Sequence, residues 1–229
     1  MTADVVRRVV AELIGTGFLV AAVIGSGIAA TRLSPEDRGL QLLENSLVTG
    51  AALTALILAL QPVSASFNPV VTLVDRALGR IDTATAAVLT TAQVLGGCLG
   101  AVAANLMFDL DAVSVASTER TGGQLWLAEV VATLGLVLVV FGALRAGGTA
   151  VAYAVGAYIA AAYWFTSSTS FANPAVTVAR MLSDSFAGIA PASVPAFVVA
   201  QAAGGVLGLA LVRFLYPLPI VSQPLQETP

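Results

Sequence analysis

Two Asn-Pro steps constrain this chain more than anything else in it. They are Ser66-Phe67-Asn68-Pro69-Val70-Val71-Thr72-Leu73 and Thr169-Ser170-Phe171-Ala172-Asn173-Pro174-Ala175-Val176-Thr177-Val178-Ala179-Arg180. Asn before Pro marks a helix start, because the Asn side chain caps free backbone N–H groups and Pro fits the first helical position. Neither apolar run that follows can cross a bilayer, which takes about 20 residues. Set among long apolar segments, the two read as half-helices meeting head to head inside a membrane. Each N-terminal end brings about half a positive charge to the meeting point.

The flanking segments have the composition this needs. Only 10% of the 229 residues are charged and 58% are hydrophobic, whereas soluble domains carry about 25% charged residues. The chain is therefore expected to be an all-α membrane protein. Six runs are of spanning length, roughly 9–30, 40–60, 83–108, 125–144, 149–165 and 194–215, with half-helices at 69–78 and 174–182 and a Pro-rich tail. The first run continues to full spanning length, so it reads as a retained helix and not as a cleaved signal. A net charge of −3 gives no case for a nucleic-acid partner. With no His and a single Cys98, the commonest metal ligand, the usual proton shuttle and any intramolecular disulfide are missing. No metal, cofactor or enzymatic activity is expected.

Landmarks recur in the same order in both halves. Glu12 in Ala-Glu-Leu-Ile-Gly-Thr returns as Glu129 (129 − 12 = 117), Asn68 as Asn173 (173 − 68 = 105), and Gln93 in Ala-Gln-Val-Leu-Gly-Gly as Gln201 (201 − 93 = 108). Each half has three spans, so the second copy must sit upside down relative to the first. This is a 3+3 inverted repeat, roughly 9–108 and 125–215, in one transmembrane domain over 1–229, with its special site where the broken helices meet. Six Arg fall on the face of the N-terminus (Arg7, Arg8, Arg76, Arg80, Arg145, Arg213) and four opposite, which places both termini in the cytoplasm.

With its paired Asn-Pro motifs and its repeated Glu and Gln, the chain resembles the major intrinsic protein family, the aquaporins and aquaglyceroporins, over essentially its whole length. The second motif, Asn173-Pro174-Ala175, matches the family pattern; the first departs from it as Asn68-Pro69-Val70. The resemblance implies six spans plus two re-entrant half-helices, a homotetramer in the bilayer, and a pore into which Asn68 and Asn173 donate. A solute oxygen held by both donors cannot easily accept from its neighbour in the file, and the facing helix ends repel cations. Glu12 and Glu129 are carboxyls inside spans, where a charge costs at least roughly 2.5 kcal/mol. The resemblance makes them acceptors for the re-entrant loops, which Gln93 and Gln201 also tie down, while Gly96, Gly97, Gly204 and Gly205 allow close helix crossing.

The family's narrowest point is formed by four positions, dominated by an Arg directly after the second motif. Here they fall on Val176, on Ala161 (173 − 12), on Ser170 in the loop, and on Thr49, with Val48 the alternative. Such a ring is small, uncharged and wide. Arg180 lies four residues beyond Val176, on the same helix face and about 6 Å further out. It is read as an interfacial or last-turn Arg rather than as a replacement. The expected function is a passive inner-membrane channel for small neutral solutes (glycerol-like polyols, urea, arsenous acid-type hydroxides) and water. The context around Val176 is similar to the arsenic-resistance-associated branch. The alternative is a water-selective aquaporin with a relaxed filter. A coupled transporter, which needs a free titratable group at midplane, and a closed-pore junction protein are the readings from other classes.

Overall fold

The computed structural model describes residues 2–217, so most of the Pro-rich tail lies outside the described residues. Eight α-helices follow in order: α1 (Ala3–Leu33), α2 (Arg38–Leu60), α3 (Pro69–Ala77), α4 (Thr83–Met107), α5 (Gly123–Ala146), α6 (Gly148–Phe165), α7 (Pro174–Ala179) and α8 (Val194–Leu215). Six are long and apolar enough to cross a membrane, and α3 and α7 are too short.

Capping explains where several of them begin. Thr2, Asp37, Asn68, Asp82 and Asn173 each accept a backbone N–H of the turn that follows, which satisfies one of the orphan donors of a helix start. The Thr2 cap starts α1 six residues before its apolar run. The second half-helix ends earlier than expected. Regular α7 stops at Ala179, and Arg180–Leu182 tighten into a 3₁₀ turn. Between α5 and α6 a single residue, Gly147, makes the reversal at φ 123°, a conformation that costs glycine little.

The repeats interlock through backbone contact. α1 packs along α4 as α5 packs along α8, and α2 meets α6 across the middle. A Cβ at Gly96 would come within 2.1 Å of the Leu13 carbonyl oxygen, so only glycine permits that crossing. α3 packs against α8 as well as its own α4, and α7 against α4 as well as its own α8. Each half-helix is thus wedged between the two repeats. Arg213 donates to the Ala77 carbonyl at 2.6 Å, which joins the ends of α8 and α3 on the face where α1 begins. On the opposite face residues 114–118 of the long loop bond residues 181–190, through Ser114 N–H to Leu182, Ala116 N–H to Met181 and Ala190 N–H to Thr118.

Candidate functional site

Two buried carboxylates fix the re-entrant loops. Glu12 is fully buried and accepts from Ser66 N–H (2.8 Å), Phe67 N–H (2.7 Å), the Ser64 hydroxyl and Gln93 Nε2 (2.7 Å). Glu129, equally buried, accepts from Phe171 N–H (2.9 Å), Ala172 N–H (2.8 Å) and Gln201 Nε2 (2.6 Å). The Gln residues donate onward to Thr72 and Thr177, both at 2.8 Å. These bonds hold strained backbone: Phe67 and Ala172 both sit at φ 47°, Thr169 at 62° and Ser170 at 49°, each at a cost of about 1–3 kcal/mol. In a planar trans peptide the carbonyl of residue i − 1 points opposite the N–H of residue i. The carboxylates therefore turn the carbonyls of Ala65, Ser66, Ser170 and Phe171 away from themselves, and all four residues line one cavity.

The Asn pair closes the two loops onto each other. Asn68 Nδ2 donates to the Ala172 carbonyl at 2.8 Å, and Asn173 Nδ2 to the Phe67 carbonyl at 2.7 Å. Their Oδ1 atoms cap Val70 N–H, and Ala175 and Val176 N–H. A carboxamide has two N–H donors, so each Asn keeps one for the cavity that both residues line. Pro69 and Pro174 occupy the first turns of the half-helices. Val70 in place of Ala is matched across the interface by Gly205, where a Cβ would come within 2.5 Å of Val70 Cγ1.

The cavity, about 690 Å³, runs past this pair. Its walls follow the helical period of four. α2 contributes Thr49, Leu53 and Ile57, and α6 contributes Val151, Val155, Ile159 and Tyr163. α1 contributes Leu19 and Val23 and α5 contributes Leu136 and Val140, the same 117-residue offset as Glu12 and Glu129 (136 − 19 and 140 − 23). One side is apolar and the other is peptide carbonyl and carboxamide. At the face of the N-terminus the lining ends at Arg8, Asp75 and Arg80, with Asp75 and Arg80 ion-paired at 2.8 Å; at the far end it reaches Thr49, Tyr163, Ser170, Val176 and Arg180.

The structure thus brings Thr49, Ser170 and Val176 together and leaves Ala161 out. Ala161 is exposed on α6. Counting back from Asn173 assumes a fixed loop length, whereas two residues along a helix turn a side chain by about 200°. The cavity position belongs to Tyr163, whose hydroxyl meets that of Thr49 at 3.2 Å. Val48, the alternative to Thr49, is 44% exposed and faces outward. Arg180 corrects a second expectation. It is 2% exposed, lines the cavity, stacks 3.4 Å from the Phe171 ring centroid and donates from Nε to the Ala187 carbonyl. The Thr72 and Thr177 links went unread, although both stand four residues after an Asn-Pro Asn. Ala161→Leu is expected to leave solute permeability at its parental value, and Tyr163→Ala to raise the flux of the larger solutes; stopped-flow light scattering on proteoliposomes measures both.

This is a multi-pass membrane protein whose two inverted halves enclose a lumen at the meeting of two half-helices. The major intrinsic protein family model matches residues 1–147. Aquaglyceroporin AqpS of Rhizobium meliloti (strain 1021) is 47% identical over 228 residues, covering 98% of this chain and 97% of that protein. The chain belongs to the major intrinsic protein family. The X-ray structure of the aquaglyceroporin from Plasmodium falciparum shares its fold, with a TM-score of 0.73 at 19% identity over 95% of this chain and 100% of that one.

Proposed function

We propose that the chain is a passive channel for small uncharged solutes, namely glycerol-like polyols, urea and metalloid hydroxides such as arsenous acid, and for water. The observation that carries this is the two-sided lumen. Apolar stripes from four helices face a track of carbonyls and two Asn donors, a lining that accommodates both the carbon backbone and the hydroxyls of a polyol. The named aquaglyceroporin relative supports the same reading over a water-selective pore. A coupled transporter needs a free titratable group at midplane, and Glu12 and Glu129 are both engaged by several donors.

Asn68 and Asn173 are the central donors in this reading, with Pro69, Val70, Pro174 and Ala175 setting their half-helices. Thr49, Tyr163, Ser170 and Val176 form the constriction, and Glu12, Glu129, Gln93 and Gln201 anchor the loops. In this reading the protein lies in a bacterial inner membrane, and the six-to-four Arg bias supports cytoplasmic termini. The whole chain acts as a single channel domain in a homotetramer. Stopped-flow measurement of water, glycerol, urea and arsenite entry into proteoliposomes tests it. Solute entry should be faster than into empty vesicles and indifferent to ion gradients. Water entry without solute entry would return the assignment to a water channel.

A further inference from the structure

The 105-residue offset that relates Asn68 to Asn173 also relates Val71 to Val176 and Asp75 to Arg180. All six residues line the cavity. The inverted repeat therefore carries a charged side chain at each end of the lumen, one helical turn beyond the two valines. At the near end Asp75 is neutralised by Arg80 at 2.8 Å. At the far end Arg180 has no carboxylate in ion-pair range among the described residues. Its Nε is held by the Ala187 carbonyl and its plane by Phe171. Among the described residues its two terminal amino groups meet no hydrogen-bond acceptor.

A second polar group nearby is also unused. Ser170 is 3% exposed and lines the same cavity, and its Oγ has no hydrogen-bond partner. It is the chain neighbour of Phe171, on which Arg180 stacks. A buried hydroxyl without a partner is costly, and a spare hydroxyl in a residue that lines the same cavity as Arg180 suits an oxygen-bearing solute. Arg terminal amino groups form a rigid fork that matches two neighbouring oxygens.

We propose that Arg180 and Ser170 form the solute-selecting subsite of the far mouth. The Arg180 guanidinium bars cations, and its terminal amino groups with the Ser170 hydroxyl bind two oxygens of a small neutral polyhydroxylated solute. The fixed cation absent at Val176 is thereby supplied from one turn further along α7. Val176 keeps the bore wide, and Arg180 gives it selectivity from the side. This rests on the neutral-solute channel reading above.

Three variants in proteoliposomes test it, each compared with the parent for water, glycerol and erythritol entry and for K⁺ leak. Arg180→Met keeps length and packing against Phe171 but removes the charge. K⁺ leak should rise by about tenfold, which corresponds to ~1.4 kcal/mol of barrier. Arg180→Lys keeps the charge but not the fork, so K⁺ stays excluded while the polyol-to-water ratio falls. Ser170→Ala lowers that ratio with no leak. Parental K⁺ tightness in folded Arg180→Met overturns the barrier, and Arg180 is then only an anchor for the Ala187 loop. A parental ratio in Ser170→Ala overturns the subsite. Ser170→Ala removes one oxygen that bonds nothing, so it decides the solute-binding half of the proposal even if both Arg180 variants fail to fold. Failure of the channel reading would look different, because the parent itself would pass no polyol.

Discussion

Glu12→Ala is expected to abolish conduction, with Glu129→Ala close behind. Glu12 holds two peptide N–H groups, the Ser64 hydroxyl and Gln93. Orphaning the buried Phe67 N–H alone costs roughly 1–3 kcal/mol, and the part-buried Ser66 N–H adds to it, against a total stability of about 5–15 kcal/mol for a typical protein. The loss falls where the backbone is already strained, at Phe67 on one loop and Ala172 on the other. Because Asn173 bonds the Phe67 carbonyl and Asn68 the Ala172 carbonyl, releasing one loop also frees the carboxamide that the other loop presents. Glu12→Gln should fail as well, since one of its two acceptor oxygens becomes an NH₂ facing donors. Glycerol and water entry in proteoliposomes, with the elution profile as a check on folding, gives the answer. A folded Glu12→Ala protein with parental flux means the carboxylate is not an anchor.

The same carboxylates show how much the sequence could reveal. Paired landmarks at offsets of 117, 105 and 108 were readable because an inverted repeat writes each structural requirement twice. The six spans and two half-helices followed from length, hydropathy and the Asn-Pro starts. What stayed hidden was orientation around a helix axis. Ala161 was reached by counting through a loop, and a two-residue error turns the chosen side chain away from the lumen. The period-four stripe Val151, Val155, Ile159, Tyr163 points to Tyr163 without any count through a loop. Arg180 was legible in the same way, as the repeat partner of Asp75. An Arg near a helix end has an ordinary explanation in last-turn carbonyls, and only burial, the Phe171 stack and the cavity lining set that explanation aside. Asn68 and Asn173 were legible as donors. Each spends one of its two N–H groups on the opposite loop, a cross-brace that no single-sequence pattern encodes.

Val176→Arg is expected to turn the protein toward water. Val176 is 5% exposed and lines the same lumen as the Thr49–Tyr163 hydroxyl pair. A guanidinium there adds volume and a set of fixed donors that hold water tightly. It also stands about 6 Å along the helix from Arg180, four residues at 1.5 Å each. Arg180 is held in place by the Ala187 carbonyl and the Phe171 ring, so a second guanidinium adds to the positive field there and disfavours cations more strongly. Glycerol entry should fall relative to water by about tenfold or more, equivalent to ~1.4 kcal/mol of added barrier for the larger solute. Val176→Leu separates the causes. It adds bulk without charge, so a smaller shift than that of Arg assigns the remainder to the bound water and the donors, and an equal shift makes the effect steric. Both outcomes require Val176 to sit at the narrow point. An unchanged glycerol-to-water ratio in folded Val176→Arg protein removes Val176 from the constriction. The selectivity would then have to come from Arg180, Ser170 and Tyr163 alone, and the wide-bore explanation for solute passage would fall.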